Sequence, residues 1–281
     1  MLTNKTAKTW EERYLPCVTL AAHRSHKFID RALLLAIIAG GDPYDATTSN
    51  KSVPNYVKSL KGKKTFTIGV PDDYFDGVDS EIVSAVHESI ALFENKGHKV
   101  KKIKLTHPKY VISVYTVIQR AEVSSNLARF DGIRYGQSRK HFGEEAKRRI
   151  MLGAYTLAHG YYDEYYKKAQ KVRSVIMHDF DRIFKEVDMI VSPTTPVTAL
   201  KLGEYKKYPF FGELMDSLNE PASIAGLPGI SIPVGKDKKG LPIGMQIISR
   251  AFDEETMLSL AYQYEQETGF GGVLQVPEKF R

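Results

Sequence analysis

Two apolar segments near the C-terminus, each interrupted by glycine and proline, constrain the fold most. They are ASIAGLPGISIPVG and LPIGMQIISRAFDEET. Their pattern predicts strands over Gly229–Val234 and Ile243–Ser249, joined through the turn-rich stretch KDKKGLP into a hairpin or close pair. Asp253 is a favoured N-cap residue type and predicts a helix that runs to about Thr268. This part of the chain should therefore be a strand pair followed by a helix.

Strands alternate with helices upstream of these segments. Thr65–Val70 has the alternation of a strand, and Asp79 is expected to cap a helix that reaches about Asn95. Lys99–Leu105 has the pattern of an exposed edge strand. This order of elements predicts an α/β architecture. The helix after Asp79 should bury one apolar face, formed by Ile82, Val86, Ile90 and Phe93.

The remaining segments give weaker signals. Asp30 can cap a short apolar helix that ends at Gly40. A mostly helical stretch from about Val111 to Val187 precedes a short buried strand over residues 188–192. Residues 201–213 are expected to form a loop anchored by aromatic side chains.

Composition excludes several classes of protein. The chain has 281 residues, of which 42% are hydrophobic and 26% charged, as in soluble globular proteins. The single cysteine, Cys17, and the lack of a signal-peptide pattern favour the cytoplasm. No apolar run approaches the roughly 20 residues of a membrane span, so no membrane partner is expected. Of the net charge of +7, residues 1–64 contribute +6 (11 Lys/Arg against 5 Asp/Glu), which ranks a basic tRNA-binding module last.

The candidate binding residues are charged. Neither a metal-ligand pattern nor a nucleotide-binding glycine motif occurs, and the pair Ser124-Ser125 lies in a helical pattern that favours a structural role. The guanidinium of Arg149 suits a carboxylate, and the carboxylate of Asp216 suits an ammonium group. Together they match the two charges of a free amino acid. Spacing alone leaves open that they are unrelated surface charges.

Seven segments carry a resemblance to the amidase signature family. Over about residues 28–270 the chain is similar to the C-terminal half of its tRNA-linked branch, the A subunits of glutamyl-tRNA(Gln) and aspartyl-tRNA(Asn) amidotransferases. The resemblance implies an incomplete α/β/α domain with a mixed sheet flanked by helices, preceded by an irregular, non-matching segment (1–27) and followed by a C-terminal tail (271–281). Besides the two segments quoted above, the matching stretches are IDRALLLAIIAGGDPYDATTS, KTFTIGVPDDYFDGVDSEI, AEVSSNLARFDGIRYG, KRRIMLGAYTLAHGYYDEYYKKAQKVR and DMIVSPTTP.

The resemblance also implies a function. In this family a lysine and two serines hydrolyse glutamine, and the ammonia passes to a B subunit that amidates misacylated tRNA, with a small C subunit bracing the pair. ATP and Mg²⁺ would belong to the B subunit, so no cofactor is expected in this chain, and tRNA would be contacted only indirectly. The Lys/Ser/Ser triad lies in the family's N-terminal half, which has no counterpart in this sequence. We therefore expect no catalytic residue in the chain and no activity from the chain alone.

Carried over position by position, the resemblance assigns a glutamine site. It implies that Arg149 grips the α-carboxylate, that Asp216 holds the α-amino group and that Tyr115 lies near the same ligand. Three readings stay open. The chain is completed by a separate N-terminal fragment of the A subunit, or it is a truncated or frameshifted non-catalytic fragment, or it is the C-terminal part of another amidase. Arg149 and Asp216 disfavour the last, because fatty and aryl amides carry no zwitterion.

Overall fold

Five strands form one mixed sheet in the order β2-β1-β3-β5-β4. The computed structural model describes residues 27–62, 64–207 and 211–272, so the segments predicted to be irregular lie almost wholly outside it, in residues 1–26 and 273–281. The strands are β1 (Thr67–Pro71), β2 (Lys99–Ile103), β3 (Met189–Pro193), β4 (Gly229–Lys236) and β5 (Pro242–Ser249).

Helices cover both faces of this sheet, which confirms the predicted fold class. No helix in the described ranges has both the length and the apolar character needed to cross a bilayer. Residues Tyr162–Lys167 form a π-helical turn between α5 and α6. The helices are α1 (Phe28–Ile38), α2 (Tyr56–Ser59), α3 (Ser80–Asn95), α4 (Pro108–Leu127), α5 (Glu144–Leu157), α6 (Lys168–Ile183), α7 (Phe211–Asp216), α8 (Glu220–Ala225) and α9 (Glu254–Thr268).

The sheet has a parallel half and an antiparallel half. Strands β2, β1 and β3 run parallel, with Thr67 opposite Lys99 and Ile68 opposite Met189. Strand β5 lies antiparallel between β3 and β4, so the predicted hairpin of β4 and β5 is confirmed. Every residue of β3 is buried, as expected for a central strand with helices on both sides.

Successive residues of the central strands enter two separate cores. Met189 and Val191 point into a core formed with α1, α3 and α9. Ile190 between them points into a second core formed with α4, α6 and α8. This alternation is the period of two that a pleated strand imposes on its side chains. The second core supports the helices that carry the candidate site.

Several local predictions are confirmed. The carboxylate of Asp79 accepts a hydrogen bond from the backbone N–H of Glu81 at 3.0 Å and caps α3. Strand β2 lies at one edge of the sheet and is largely exposed. The apolar face of α3 is buried, as predicted, at Ile82, Val86, Ile90 and Phe93.

Other local predictions are wrong. Asp30 lies in the first turn of α1 rather than at its cap, because the Glu265 carboxylate of α9 accepts the first N–H, that of Phe28, at 3.1 Å. Asp253 occupies the cap position of α9, but its carboxylate accepts a hydrogen bond from the Thr256 hydroxyl at 2.6 Å instead of from a backbone N–H.

The loop predicted over 201–213 is also partly wrong. Residues 204–207 form a 3₁₀ turn, and α7 begins at Phe211. Residues 208–210 lie outside the described ranges. A six-residue helix is too short to show the periodicity on which sequence-based assignment depends.

Helices α4 and α5 approach each other closely at Gly153. A β-carbon built on Gly153 would lie 1.9 Å from the carbonyl oxygen of Arg120 and 2.6 Å from the β-carbon of Ser124. Only glycine allows the two backbones to come this near. The contact fixes the spacing of the two helices.

We expect Gly153→Ala to lower the free energy of unfolding by about 3 kcal/mol, because the new methyl group meets backbone that cannot yield without separating the helices. Urea denaturation followed by circular dichroism measures the change. Gly143→Ala, at the N-cap of the same helix with nothing within 4 Å, is the matched control and should change stability by less than about 1 kcal/mol. Equal effects of the two substitutions would contradict the close contact.

Candidate functional site

The three residues assigned from the sequence converge where α4, α5 and α7 meet. Tyr115 lies on α4, Arg149 on α5, and Asp216 ends α7. The charges of Arg149 and Asp216 both act on the Tyr115 hydroxyl, and that of Arg149 acts on Asp216. Residues separated by about 100 positions in the sequence thus share one site. Their roles toward a ligand stay predictions.

Arg149 is oriented by a carboxylate on its own helix. Its Nε donates to Glu145 Oε1 at 2.6 Å, and Arg148 donates two hydrogen bonds to the same carboxylate at 2.8 and 2.9 Å. These two arginines lower the pKa of Glu145 to about 2. The terminal nitrogens of Arg149 have no hydrogen-bond partner among the described residues, and its side chain is 39% exposed. The planar end of the guanidinium is therefore available to an incoming anion.

Tyr115 is partly buried on α4, and Asp216 is exposed at the end of α7. Burial raises the pKa of Asp216, the Arg149 charge opposes that rise, and Glu213 adds to it. Burial also raises the pKa of Tyr115, helped by the negative charges of Glu220 and Asp216. The phenol therefore stays protonated at neutral pH and can donate or accept a hydrogen bond.

A second ion pair links α7 to the two helices. Arg120 of α4 donates to Glu213 at 3.2 Å, and Arg148 of α5 lies 3.8 Å from the same carboxylate. Both partners of the shorter contact are mostly buried. Sequence reasoning did not single out these residues. Glu145 precedes Arg148 by three positions and Arg149 by four, which is the spacing of ion pairs on one helix. The sequence therefore did contain a signal for the two ion pairs within α5.

A buried amide ties the turn after α7 to the sheet. Gln246 of β5 is 4% exposed, and its Nε2 lies 2.7 Å from the carbonyl oxygen of Leu218, 3.1 Å from that of Pro193 and 3.0 Å from the hydroxyl of Ser192. Leu218 lies between the two acidic residues at positions 216 and 220 in the sequence. The turn that carries both acids is therefore held by the rigid centre of the sheet.

Glu220 is the acidic residue that sequence reasoning missed. It opens α8, is 3% exposed, and its Oε2 has no hydrogen-bond partner. Burial raises its pKa to about 8, and the charges of Asp216 and Glu213 add to the effect. Its position four residues after Asp216 was a signal that an acidic pair could face one site.

The arrangement suits an organic zwitterion. Within the described ranges, no group of three or more His, Cys, Asp or Glu side chains could hold a metal. The guanidinium of Arg149, with free terminal nitrogens, lies near the Asp216 carboxylate and the Tyr115 phenol. These groups can bind a carboxylate at one end of a small molecule and an ammonium group at the other.

Comparison with known proteins points to one family. The amidase family matches residues 24–258. The chain is 46% identical over 260 residues to the A subunit of glutamyl-tRNA(Gln) amidotransferase from Brevibacillus brevis, and 49% identical over 261 residues to its counterpart from Clostridium botulinum. Each alignment covers 86% of this chain and 53% of the relative. The chain thus spans about half the length of the curated relatives it matches.

Solved structures share the fold. The A subunit of glutamyl-tRNA(Gln) amidotransferase from Thermotoga maritima superimposes with a TM-score of 0.71 at 37% identity, covering 86% of this chain and 51% of that one. A 6-aminohexanoate cyclic dimer hydrolase superimposes with a TM-score of 0.73, covering 91% of this chain and 56% of the hydrolase. At 18% identity the hydrolase shows the fold alone. The predicted resemblance is confirmed, as is the mixed sheet flanked by helices.

Glu220 should give the stability of the chain a specific dependence on pH. Between pH 4.5 and about 8 the folded state keeps the Glu220 proton and the unfolded state releases it. Raising the pH through this window therefore favours unfolding. We expect the wild-type unfolding free energy to fall by about 3 kcal/mol relative to Glu220→Gln from pH 5 to pH 8.

Urea denaturation of both proteins across this pH range measures the difference. Other carboxyl groups whose pKa burial raises, such as Glu254 and Glu265, titrate in both proteins and cancel in the comparison. Parallel stability curves for the two proteins would show that Glu220 titrates in its ordinary range.

Proposed function

Because this chain belongs to the amidase family, we propose that it is the glutamine-recognising part of the A subunit of a glutamyl-tRNA(Gln) amidotransferase. The proposal depends on one observation above all, the convergence of Arg149, Asp216 and Tyr115 in a chain nearly half identical to such subunits. A free amino acid has the charges that this site can pair. We also propose that the protein functions in the cytoplasm.

Each residue has a role set by its chemistry. The free terminal nitrogens of Arg149 bind the α-carboxylate of glutamine through parallel hydrogen bonds. Asp216 accepts hydrogen bonds from the α-ammonium group, and the Tyr115 hydroxyl contacts the same end of the ligand. Because both charged groups of glutamine are then engaged, its side-chain amide is oriented toward the catalytic groups.

The chain needs a complement to carry out chemistry. A nucleophilic serine, its partner serine and a lysine would come from a separate N-terminal part of the A subunit. Loss of such a set costs about 10⁶ in rate, so the chain alone should be silent. The ammonia would pass to a B subunit that binds ATP and Mg²⁺, with a C subunit bracing the pair, and this chain itself needs no cofactor.

Two surfaces support the proposal that a separate N-terminal part completes the site. Helix α1 exposes four apolar side chains at 45–70% of their area, and strand β4 pairs only with β5 among the described strands. An uncovered apolar face and an open strand edge are sites at which further structure adds. The exposed side chains on α1 are Leu33, Leu34, Ile37 and Ile38.

Two other readings predict different outcomes. A truncated, non-catalytic fragment would keep the same exposed surfaces and gain no activity from an added N-terminal half. Another type of amidase would bind its substrate without using the charge of Arg149. Glutamine binding by Arg149→Lys distinguishes the second of these readings from the proposed function, and ammonia release by a mixture with an N-terminal half distinguishes the first.

We expect Arg149→Lys to weaken glutamine binding by the 281-residue chain at least about tenfold, because an ammonium group cannot form two parallel hydrogen bonds with a carboxylate. Titration calorimetry measures the dissociation constant. Arg182→Lys is the matched control, since its guanidinium contacts Asp179 and the carbonyl oxygen of Lys104 rather than residues of the candidate site, and it should stay within about twofold of wild type. Unchanged binding by Arg149→Lys would favour another amidase.

We expect glutaminase activity only when the chain is mixed with the separately expressed N-terminal half of the Clostridium botulinum relative. Ammonia release is measured for the chain alone, for the added half alone and for the mixture. Ile37→Lys, on the exposed face of α1, should reduce the activity of the mixture about tenfold, because a lysine charge opposes burial.

Leu202→Lys is the matched control, since that side chain is fully exposed in the loop after β3 and its substitution should leave the activity unchanged. Ammonia release by the chain alone would contradict the missing triad. An inactive mixture would favour the non-catalytic fragment.

A further inference from the structure

Glu220 lacks the partners that a buried acid normally has. Its side chain is 3% exposed, and Oε2 is buried without a hydrogen-bond partner. No lysine or arginine in the described ranges forms an ion pair with it. Burial of a carboxyl group without a hydrogen-bond partner destabilises a fold, so such a group calls for an explanation.

The groups around Glu220 are those of the candidate site. Its charge acts on the Tyr115 hydroxyl, and the carboxylates of Asp216 and Glu213 act on it. Glu213 is already paired with Arg120. Asp216 and Glu220 flank one turn, closed by a hydrogen bond from the N–H at position 219 to the carbonyl oxygen of Asp216 at 2.9 Å. The unpaired acid therefore lies with Asp216 and Tyr115 rather than in the hydrophobic core.

We propose that Glu220 is a further ligand-positioning residue, whose unpaired oxygen accepts a hydrogen bond from a primary ammonium group bound between Asp216 and Tyr115. The inference rests on the proposed glutamine site and deepens it. A primary ammonium group has three N–H donors. The two carboxylates and the phenolic oxygen supply three acceptors from α4, α7 and the start of α8.

Binding then moves one proton. In the empty site Glu220 carries its proton, because burial and the neighbouring acids disfavour its charged form. When the cationic ligand enters, the carboxyl group releases this proton to solvent and the carboxylate pairs with the ammonium group. Glutamine brings one positive and one negative charge, so its own net charge is zero and the lost proton lowers the charge of the site by one. In the bound state the α-carboxylate faces Arg149, and the ammonium group faces the carboxylates of Asp216 and Glu220.

This arrangement selects for a free α-amino group. An N-acylated glutamine, such as the end of a peptide or N-acetylglutamine, has no cation and one N–H donor. It would leave both carboxyl groups without a charged partner. The site should therefore bind free glutamine and reject acylated forms. Asp216 alone supplies only one of the two negative charges on which this preference depends.

The test follows the Glu220 carboxyl carbon by ¹³C NMR in the full chain, with the signal assigned by its absence in Glu220→Gln. The chain is titrated with glutamine, N-acetylglutamine and methylammonium chloride, each against sodium chloride at matched ionic strength. We expect glutamine and methylammonium to lower the pH midpoint of this signal by at least about one unit, and N-acetylglutamine to leave it unchanged. Glu220→Gln should weaken glutamine binding at least about tenfold.

Glu254→Gln is the control for loss of a partly buried carboxyl group outside the candidate site. Burial raises the pKa of Glu254 as well, but it lies at the start of α9 and should bind glutamine like wild type. Glutamine binding with an unmoved Glu220 signal and full affinity in Glu220→Gln would overturn the inference while leaving the proposed function in place. A response to methylammonium but not to glutamine would overturn the proposed function and keep the cation site. No response to either would overturn both.

Discussion

The contact between Gly153 and the Arg120 carbonyl sets the geometry of the whole site. It brings the backbones of α4 and α5 so close that a β-carbon at position 153 would overlap the Arg120 carbonyl. Arg149 and Tyr115 come from these two helices, and the Arg120 side chain reaches Glu213 of α7 from the same region. A wider helix separation would move Arg120 relative to Glu213 and separate Arg149 from Tyr115. A residue without a side chain thus determines where the charged side chains lie.

The acidic turn is fixed from the opposite side by polar groups of the core. Gln246 of β5 donates to the carbonyl oxygen of Leu218, and Arg173 of α6 donates to that of Ile224 at 2.8 Å. Both donors are buried, so these hydrogen bonds are shielded from water. The segment from Asp216 to the end of α8 is therefore positioned before any ligand arrives, which lowers the cost of binding.

The sequence predicted the elements whose signals are local. The Asp79 cap, the buried face of α3 and the β4–β5 hairpin each depend on residues close together in the chain, and the structure contains all three. The cap of α1 and the role of Glu220 depend on contacts with distant elements. A sequence pattern cannot show that Glu265 replaces a local cap, or that packing removes water from one acid and not from another. The family resemblance indicated Arg149 and its two companions at the site, but not the ion pairs that orient them.

The strand order has a consequence for biosynthesis. Strand β5 is the last of the five to be made, yet it lies between β3 and β4 and supplies the hydrogen bonds that join them. The β2-β1-β3 half can pair in the order in which the ribosome delivers its strands, but β4 has no neighbour among the described strands until β5 emerges. In a nascent chain that ends before Pro242, one edge of β3 and both edges of β4 would be unpaired among the described strands, and unpaired strand edges favour aggregation.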